Sequence, residues 1–170
     1  LHPLIATIPA SVETSPDAVA RYLAERETDP LLRVKALHDY VADRVAYDVA
    51  SYRARRFPPQ DAATVFRTRL SVCAGYAALF DAMARSVGVT SAVVVGDARG
   101  HAGEPPESHA WNAVKVNGRW LLLDATWDAG TTDATAFHKQ YRTDYLFAPP
   151  EVFGVEHFPD DARWQLRERP

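Results

Sequence analysis

Apolar side chains at Leu31, Val34, Leu37, Val41 and Val45 recur every three or four positions, so they line one face of a helix. Asp29 and Pro30 supply its start, and the pattern predicts an end near Tyr47 and Asp48. Ser15, Pro16 and Asp17 give the same start signal for a shorter helix that runs to about Glu27. A second stripe, Tyr76, Leu79, Phe80, Met83 and Val87, predicts a helix from Cys73 to Val87 that Gly88 stops. Between the stripes, Arg53, Arg55 and Arg56 read as a solvated face, and a short helix is expected from about Asp61 to Arg67 after Pro58 and Pro59.

Beyond Gly88 the period changes. Ala92 to Val95 is a β-branched run of strand type, and Asp97 to Ser108, with its glycines and prolines, reads as a loop. His109 to Val116 and Arg119 to Thr126 are strand-like runs joined by Asn117-Gly118, the strongest short hairpin signal. A regular ladder about that turn opposes Val116 to Arg119, Trp111 to Asp124 and His109 to Thr126. His109 and Asp124 are then diagonal neighbours on one face, about 7 to 8 Å apart at Cα. Trp127 to Pro170 is aromatic, contains prolines, and is expected to wrap the core rather than to form a second domain.

At 170 residues, 47% hydrophobic and 24% charged, the chain 1–170 reads as a single domain with one core. A net charge of -3 provides no global basic field, so no nucleic-acid partner is expected. Apolar runs such as Trp120 to Leu123 are far too short for a membrane helix, so no membrane insertion is expected. His2, His138 and His157 have no partner at metal-ligand spacing, His38 falls on a helix, His101 in a loop, and Asp160-Asp161 is too short for a calcium site. Neither a metal nor a cofactor is expected.

The single cysteine, Cys73, excludes an intramolecular disulfide and leaves a small buried thiol or a reactive one. Its place at a helix start favours reactivity, because the dipole and the free N–H groups there stabilise a thiolate and can also hold an oxyanion. A carboxylate beside an imidazole fixes the ring and stabilises its protonated form, which is the third-member role in a nucleophilic triad. Cys73, His109 and Asp124 thus supply the types needed for Cys-dependent acyl transfer. An inert core cysteine and a surface His/Asp pair are the plainer alternative.

Val72-Cys73-Ala74-Gly75-Tyr76-Ala77, His109-Ala110-Trp111-Asn112 and Leu123-Asp124-Ala125-Thr126-Trp127-Asp128 resemble the three motifs of the transglutaminase-like superfamily. Leu37-His38-Asp39-Tyr40-Val41, Ala46-Tyr47-Asp48 and the tail segments Asp144-Tyr145-Leu146-Phe147, Pro150-Glu151-Val152-Phe153, His157-Phe158-Pro159-Asp160-Asp161 and Trp164-Gln165-Leu166 resemble its bacterial branch related to kyphoscoliosis peptidase. The similarity covers about residues 31–166 and leaves 1–30 as an N-terminal extension with a short helix. It implies an α+β, papain-like fold, with the Cys-bearing helix packed on an antiparallel sheet that carries the His and Asp.

It further implies Cys73 as nucleophile, His109 as general base and then acid, and Asp124 as the group orienting His109. The family's side-chain oxyanion donor has no clear match, which leaves Gln60 and Tyr47 as candidates beside the Cys73 N–H. Trp111 and Trp127 flank the site as core packing or as cleft lining. The implied substrate is a peptide, a protein or a cell-wall peptide. Peptidase or amidase activity is favoured, with transamidation or deamidation of glutamine close behind, because nothing marks a dedicated amine site. A non-catalytic peptide- or cell-wall-binding module on the same scaffold is the alternative from a different class. Relatives in bacteria are often extracytoplasmic; compartment and oligomeric state stay open.

Overall fold

The computed structural model describes residues 1–100 and 105–167. Helix α1 (Pro16–Arg26) is capped by Ser15 and α2 (Pro30–Arg44) by Asp29, whose side chains accept from Ala18 N–H and Leu32 N–H. Strand β1 (Ala46–Tyr47), α3 (Val49–Ala54), α4 (Ala62–Thr68) and β2 (Leu70–Ser71) follow, and α5 (Cys73–Ser86) is the central helix. The expected continuation of α2 to Tyr47 is not observed. Its last carbonyls are taken by distant groups: Lys139 Nζ donates to Ala42 O at 2.6 Å and Val45 O at 2.7 Å, and the Tyr76 hydroxyl donates to Val45 O at 2.9 Å. The chain then leaves as β1, which pairs in parallel with β2, Tyr47 opposite Ser71.

Helix α3 had no apolar stripe to announce it. Asp48 caps it, its Oδ1 accepting from Ser51 N–H at 3.0 Å.

Strands β3 (Thr90–Ala98), β4 (Glu107–Val116) and β5 (Arg119–Leu123) lead into α6 (Ala125–Ala129), the β6 (Gly130–Thr132) and β7 (Phe137–Lys139) pair, α7 (Pro150–Phe153) and β8 (His157–Pro159). The main sheet is antiparallel in the order β5-β4-β3-β8. Asn117 and Gly118 have φ of 50° and 78°, the left-handed pair that a tight hairpin requires, and the ladder runs regularly from Val116–Arg119 to Asn112–Leu123. It stops there. The extrapolated pairs Trp111–Asp124 and His109–Thr126 do not form, because the chain turns out of the strand and Asp124 caps α6. Strands β3 and β4 extend to Ala98 and from Glu107, so the expected loop from Asp97 is shorter; His101 and Gly103 lie outside the described residues.

Helices α1, α2 and α4 surround α5, and Leu23, Leu37, Val41, Leu79, Phe80 and Met83 are fully buried among them. Each such side chain contributes about 1.5–3 kcal/mol through burial. Helix α5 packs on one face of the sheet, where Asn112 Nδ2 donates to Ala77 O at 3.1 Å. The C-terminal segment covers the other face: Phe153, Tyr145, Trp164 and Leu166 close over Val94, Trp111, Ala113 and Leu122. The architecture is α+β, and no described helix is long and apolar enough to cross a membrane.

Candidate active site

Cys73 is the first residue of α5 and partly exposed. As a first helical residue its N–H has no intrahelical acceptor, and Val72 provides no capping side chain. The preceding amide, Val72 N–H, is taken by Gln60 Oε1 at 3.1 Å, while Gln60 Nε2 donates to Pro58 O at 3.0 Å. Gln60 therefore steadies the entry to α5 and does not line the cleft. Tyr47 does line it, because the β1–β2 pairing sets Tyr47 opposite Ser71, two residues before the thiol. Burial, then the nearby Cys73, pushes the Tyr47 hydroxyl up.

His109 comes from β4 and Asp124 from the cap of α6, and His109 Nε2 lies 2.7 Å from Asp124 Oδ2. With Nε2 so engaged, Nδ1 is the ring nitrogen left for the thiol. Burial by itself would lower the His109 pKa, but the Asp124 carboxylate and then the neighbouring Cys73 raise it to about 10, which keeps the ring protonated at neutral pH. Burial would raise Asp124, but His109 and His157 hold it well below the usual carboxylate range. Asp124 Oδ1 accepts from Trp127 N–H at 3.1 Å, so one carboxylate both caps α6 and grips the imidazole.

These groups open on a cleft of about 940 Å³ lined by Tyr47, Tyr52, Cys73, Glu107, His109, Trp127 and their neighbours. Trp127 stacks on His109 with ring centroids 5.1 Å apart. Trp111, the other flanking candidate, is 1% exposed and packs in the core beneath His109 instead of lining the cleft. Arg53 and Arg55, read from sequence as a solvated face, are exposed and also line the cleft.

Two histidines take part that their sequence positions did not single out. His157, brought in by β8, places Nε2 2.8 Å from the same Asp124 Oδ2. His38 lies between Asp39 and Asp128, below α6. Their signals in the sequence were the segments Leu37-His38-Asp39-Tyr40-Val41 and His157-Phe158-Pro159-Asp160-Asp161, which resemble the family without assigning either histidine a role. Among the described residues, His109, Asp124 and His157 form a group whose ligand-capable atoms lie within 4.8 Å of one another. Their N···O separations of 2.7 and 2.8 Å are hydrogen-bond lengths. Two ligands on a tetrahedral zinc would stand about 3.3 Å apart. The arrangement suits protons better than a metal ion.

The family model for the transglutaminase-like superfamily matches residues 17–125. Kyphoscoliosis peptidase from Homo sapiens and from Mus musculus is 36% identical over 165 residues, 91% of this chain but 24% of the relative, so the chain spans about a quarter of those proteins. Among solved structures, a TGase superposes with a TM-score of 0.53 at 20% identity, over 82% of this chain and 38% of that one. The periplasmic domain of TgpA from Pseudomonas aeruginosa superposes with a TM-score of 0.53 at 23% identity, over 71% and 44%. At these identities the likeness speaks to the fold, which is the papain-like, transglutaminase-like one.

Proposed function

Because the chain belongs to the transglutaminase-like superfamily, we propose that it is a cysteine-dependent acyl-transfer enzyme that cleaves amide bonds of a peptide or protein. The Cys73 thiolate attacks the amide carbonyl carbon, and the resulting oxyanion is received by the Cys73 N–H, with the Tyr47 hydroxyl as the side-chain candidate. The His109 imidazolium gives its proton to the departing amine as the C–N bond breaks, leaving a thioester on Cys73. His109, now neutral, takes a proton from water; the hydroxide adds to the thioester, the C–S bond breaks, and thiolate and imidazolium are restored. Asp124 holds the ring throughout and does not take the proton. Hydrolysis is favoured over transfer to an amine because, among the described residues lining the cleft, none marks a dedicated amine site.

One juxtaposition carries this reading: a helix-opening thiol and an imidazole face a single cleft, and a buried carboxylate grips the far side of the imidazole at 2.7 Å. The test needs no substrate. Iodoacetamide alkylation of native Cys73 is followed against pH by mass spectrometry in the wild type and in His109→Ala. Fast labelling well below the free-thiol value of about 8.5, lost in His109→Ala, is the expected result. Labelling that follows an ordinary thiol, or that requires denaturant, refutes the mechanism.

A further inference from the structure

His157 is 2% exposed and does not line the cleft, so it cannot touch a substrate there. Both its ring nitrogens nevertheless face oxygen acceptors: Nδ1 the Phe153 carbonyl at 3.1 Å, and Nε2 the Asp124 Oδ2 at 2.8 Å. A carbonyl oxygen only accepts, so Nδ1 carries a proton. The Nε2···Oδ2 contact needs one as well, because two lone pairs at that distance would repel. Asp124 Oδ2 already accepts from His109 Nε2, and a proton on that oxygen would oppose the His109 donor. The proton therefore belongs on His157.

A second observation agrees. Phe153 stacks on the His157 ring at 3.9 Å between centroids, and Trp127, Trp111 and Tyr145 enclose it at 4.6, 4.9 and 5.7 Å. The stacked Phe153 face gives a protonated ring a cation–π contact that offsets part of the desolvation burial imposes on its charge. The ionisable groups packed around it are Asp124, His109 and Tyr145, and the Tyr145 hydroxyl donates to Glu156 Oε1 at 3.1 Å.

We propose that His157 donates from both ring nitrogens as an imidazolium and acts as a positioning residue, pinning Asp124 and offsetting its charge. The proposal rests on the reading of Cys73 and His109 as the working pair. With thiolate, His109 imidazolium, carboxylate and His157 imidazolium together, the set is neutral. Without the second cation, the full charge of Asp124 would act on His109, and its proton would leave less readily for the departing amine. His157 thus sets the proton affinity of His109 from outside the cleft.

The test is a pH titration of the histidine-¹⁵N-labelled chain by long-range ¹H–¹⁵N NMR, in the wild type, His157→Gln and His157→Phe. In the wild type the His157 ring is expected to bear protons on both nitrogens at neutral pH. In His157→Gln, which keeps a donor but no charge, the His109 transition should rise by about 0.5 to 2 pH units. That is the range for two unit charges 5.8 Å apart at effective dielectric constants of about 80 and about 20. In His157→Phe, which keeps the stacking but no donor, Cys73 alkylation at acid pH should fall about tenfold, as for loss of a hydrogen bond to a charged group, while His157→Gln retains it.

A His157 ring with one protonated nitrogen at neutral pH, or an unmoved His109 transition in folded His157→Gln, overturns the proposal. If neither variant folds, the wild-type spectrum decides, with the ring assigned through its contacts to Phe153. No readout uses turnover. Two protons on His157 together with an unreactive Cys73 would sink the acyl-transfer reading and leave the His157 assignment standing.

Discussion

Replacing His38 by leucine should destabilise the protein by about 3 kcal/mol, near the lower end of the roughly 3–5 kcal/mol for breaking a buried ion pair from one side. His38, Asp39 and Asp128 are all fully buried, with His38 Nδ1 2.8 Å from Asp39 Oδ1 and Nε2 2.8 Å from Asp128 Oδ2. Asp39 has other donors: Lys35 Nζ, the Tyr141 hydroxyl at 2.6 Å and His2 N–H at 2.7 Å. Among the described residues, Asp128 keeps Tyr145 N–H alone, at 3.1 Å on its other oxygen. The loss therefore falls mainly on Asp128, which burial already pushes up, so its uptake of a proton limits the cost. Burial alone would lower the His38 pKa, but Asp128 and then Asp39 raise it.

A group raised in the folded state stabilises fully below its unfolded value of about 6.5 and loses that contribution as pH rises through its folded value. Urea unfolding followed by tryptophan fluorescence should thus show a gap between wild type and His38→Leu that is widest at about pH 6, above the range in which Asp128 takes up a proton, and narrows toward alkaline pH. Adding Asp128→Asn should recover part of it by removing the uncompensated carboxylate. A gap under about 1 kcal/mol, or one independent of pH, would refute the reasoning. Asp128 sits one helical turn after Asp124 in α6, so the same variant should slow Cys73 alkylation at acid pH.

Cys73→Ala should abolish turnover with an unchanged circular dichroism spectrum; residual activity equal to the wild type would remove Cys73 from the chemistry. Asp124→Asn should bring His109 down from about 10 toward its ordinary value near 6.5, so that Cys73 alkylation shifts to alkaline pH, measured by the same labelling assay. Tyr47→Phe should lower kcat about 100-fold with labelling intact if its hydroxyl receives the oxyanion; an unchanged kcat would assign the ring to packing. Gly75→Ala would set a Cβ 2.4 Å from Ser71 Cβ and 2.7 Å from Gln60 Oε1, and is expected to cost about 1–3 kcal/mol and lower Tm. A Tm equal to wild type would mean that the α5 entry yields freely.

Local sequence determined the parts whose causes are local. Ser15, Asp29 and Asp61 cap the helices they were expected to start, and Asn117-Gly118 sets the hairpin register because only a few residue pairs tolerate its two left-handed positions. Cys73 at a helix start and His109 on a strand were legible for the same reason, whereas Asp124 was expected on the strand and instead caps α6.

Tertiary structure decided what depends on partners distant along the chain. Lys139 and Tyr76 end α2 before Tyr47, and the β1–β2 pairing then turns Tyr47 into the cleft. Trp111 and Trp127 were equivalent as flanking aromatics until the C-terminal segment covered one face of the sheet, burying Trp111 and leaving Trp127 on the cleft. His157 carried no periodic signal, since its role comes from one hydrogen bond across 33 residues to Asp124, which itself reaches His109 by leaving the ladder to cap a helix. Hydrophobic periodicity reports which face of an element is buried, but not which buried polar atoms meet, and at this site those meetings raise the proton affinity of His109 and lower that of Asp124.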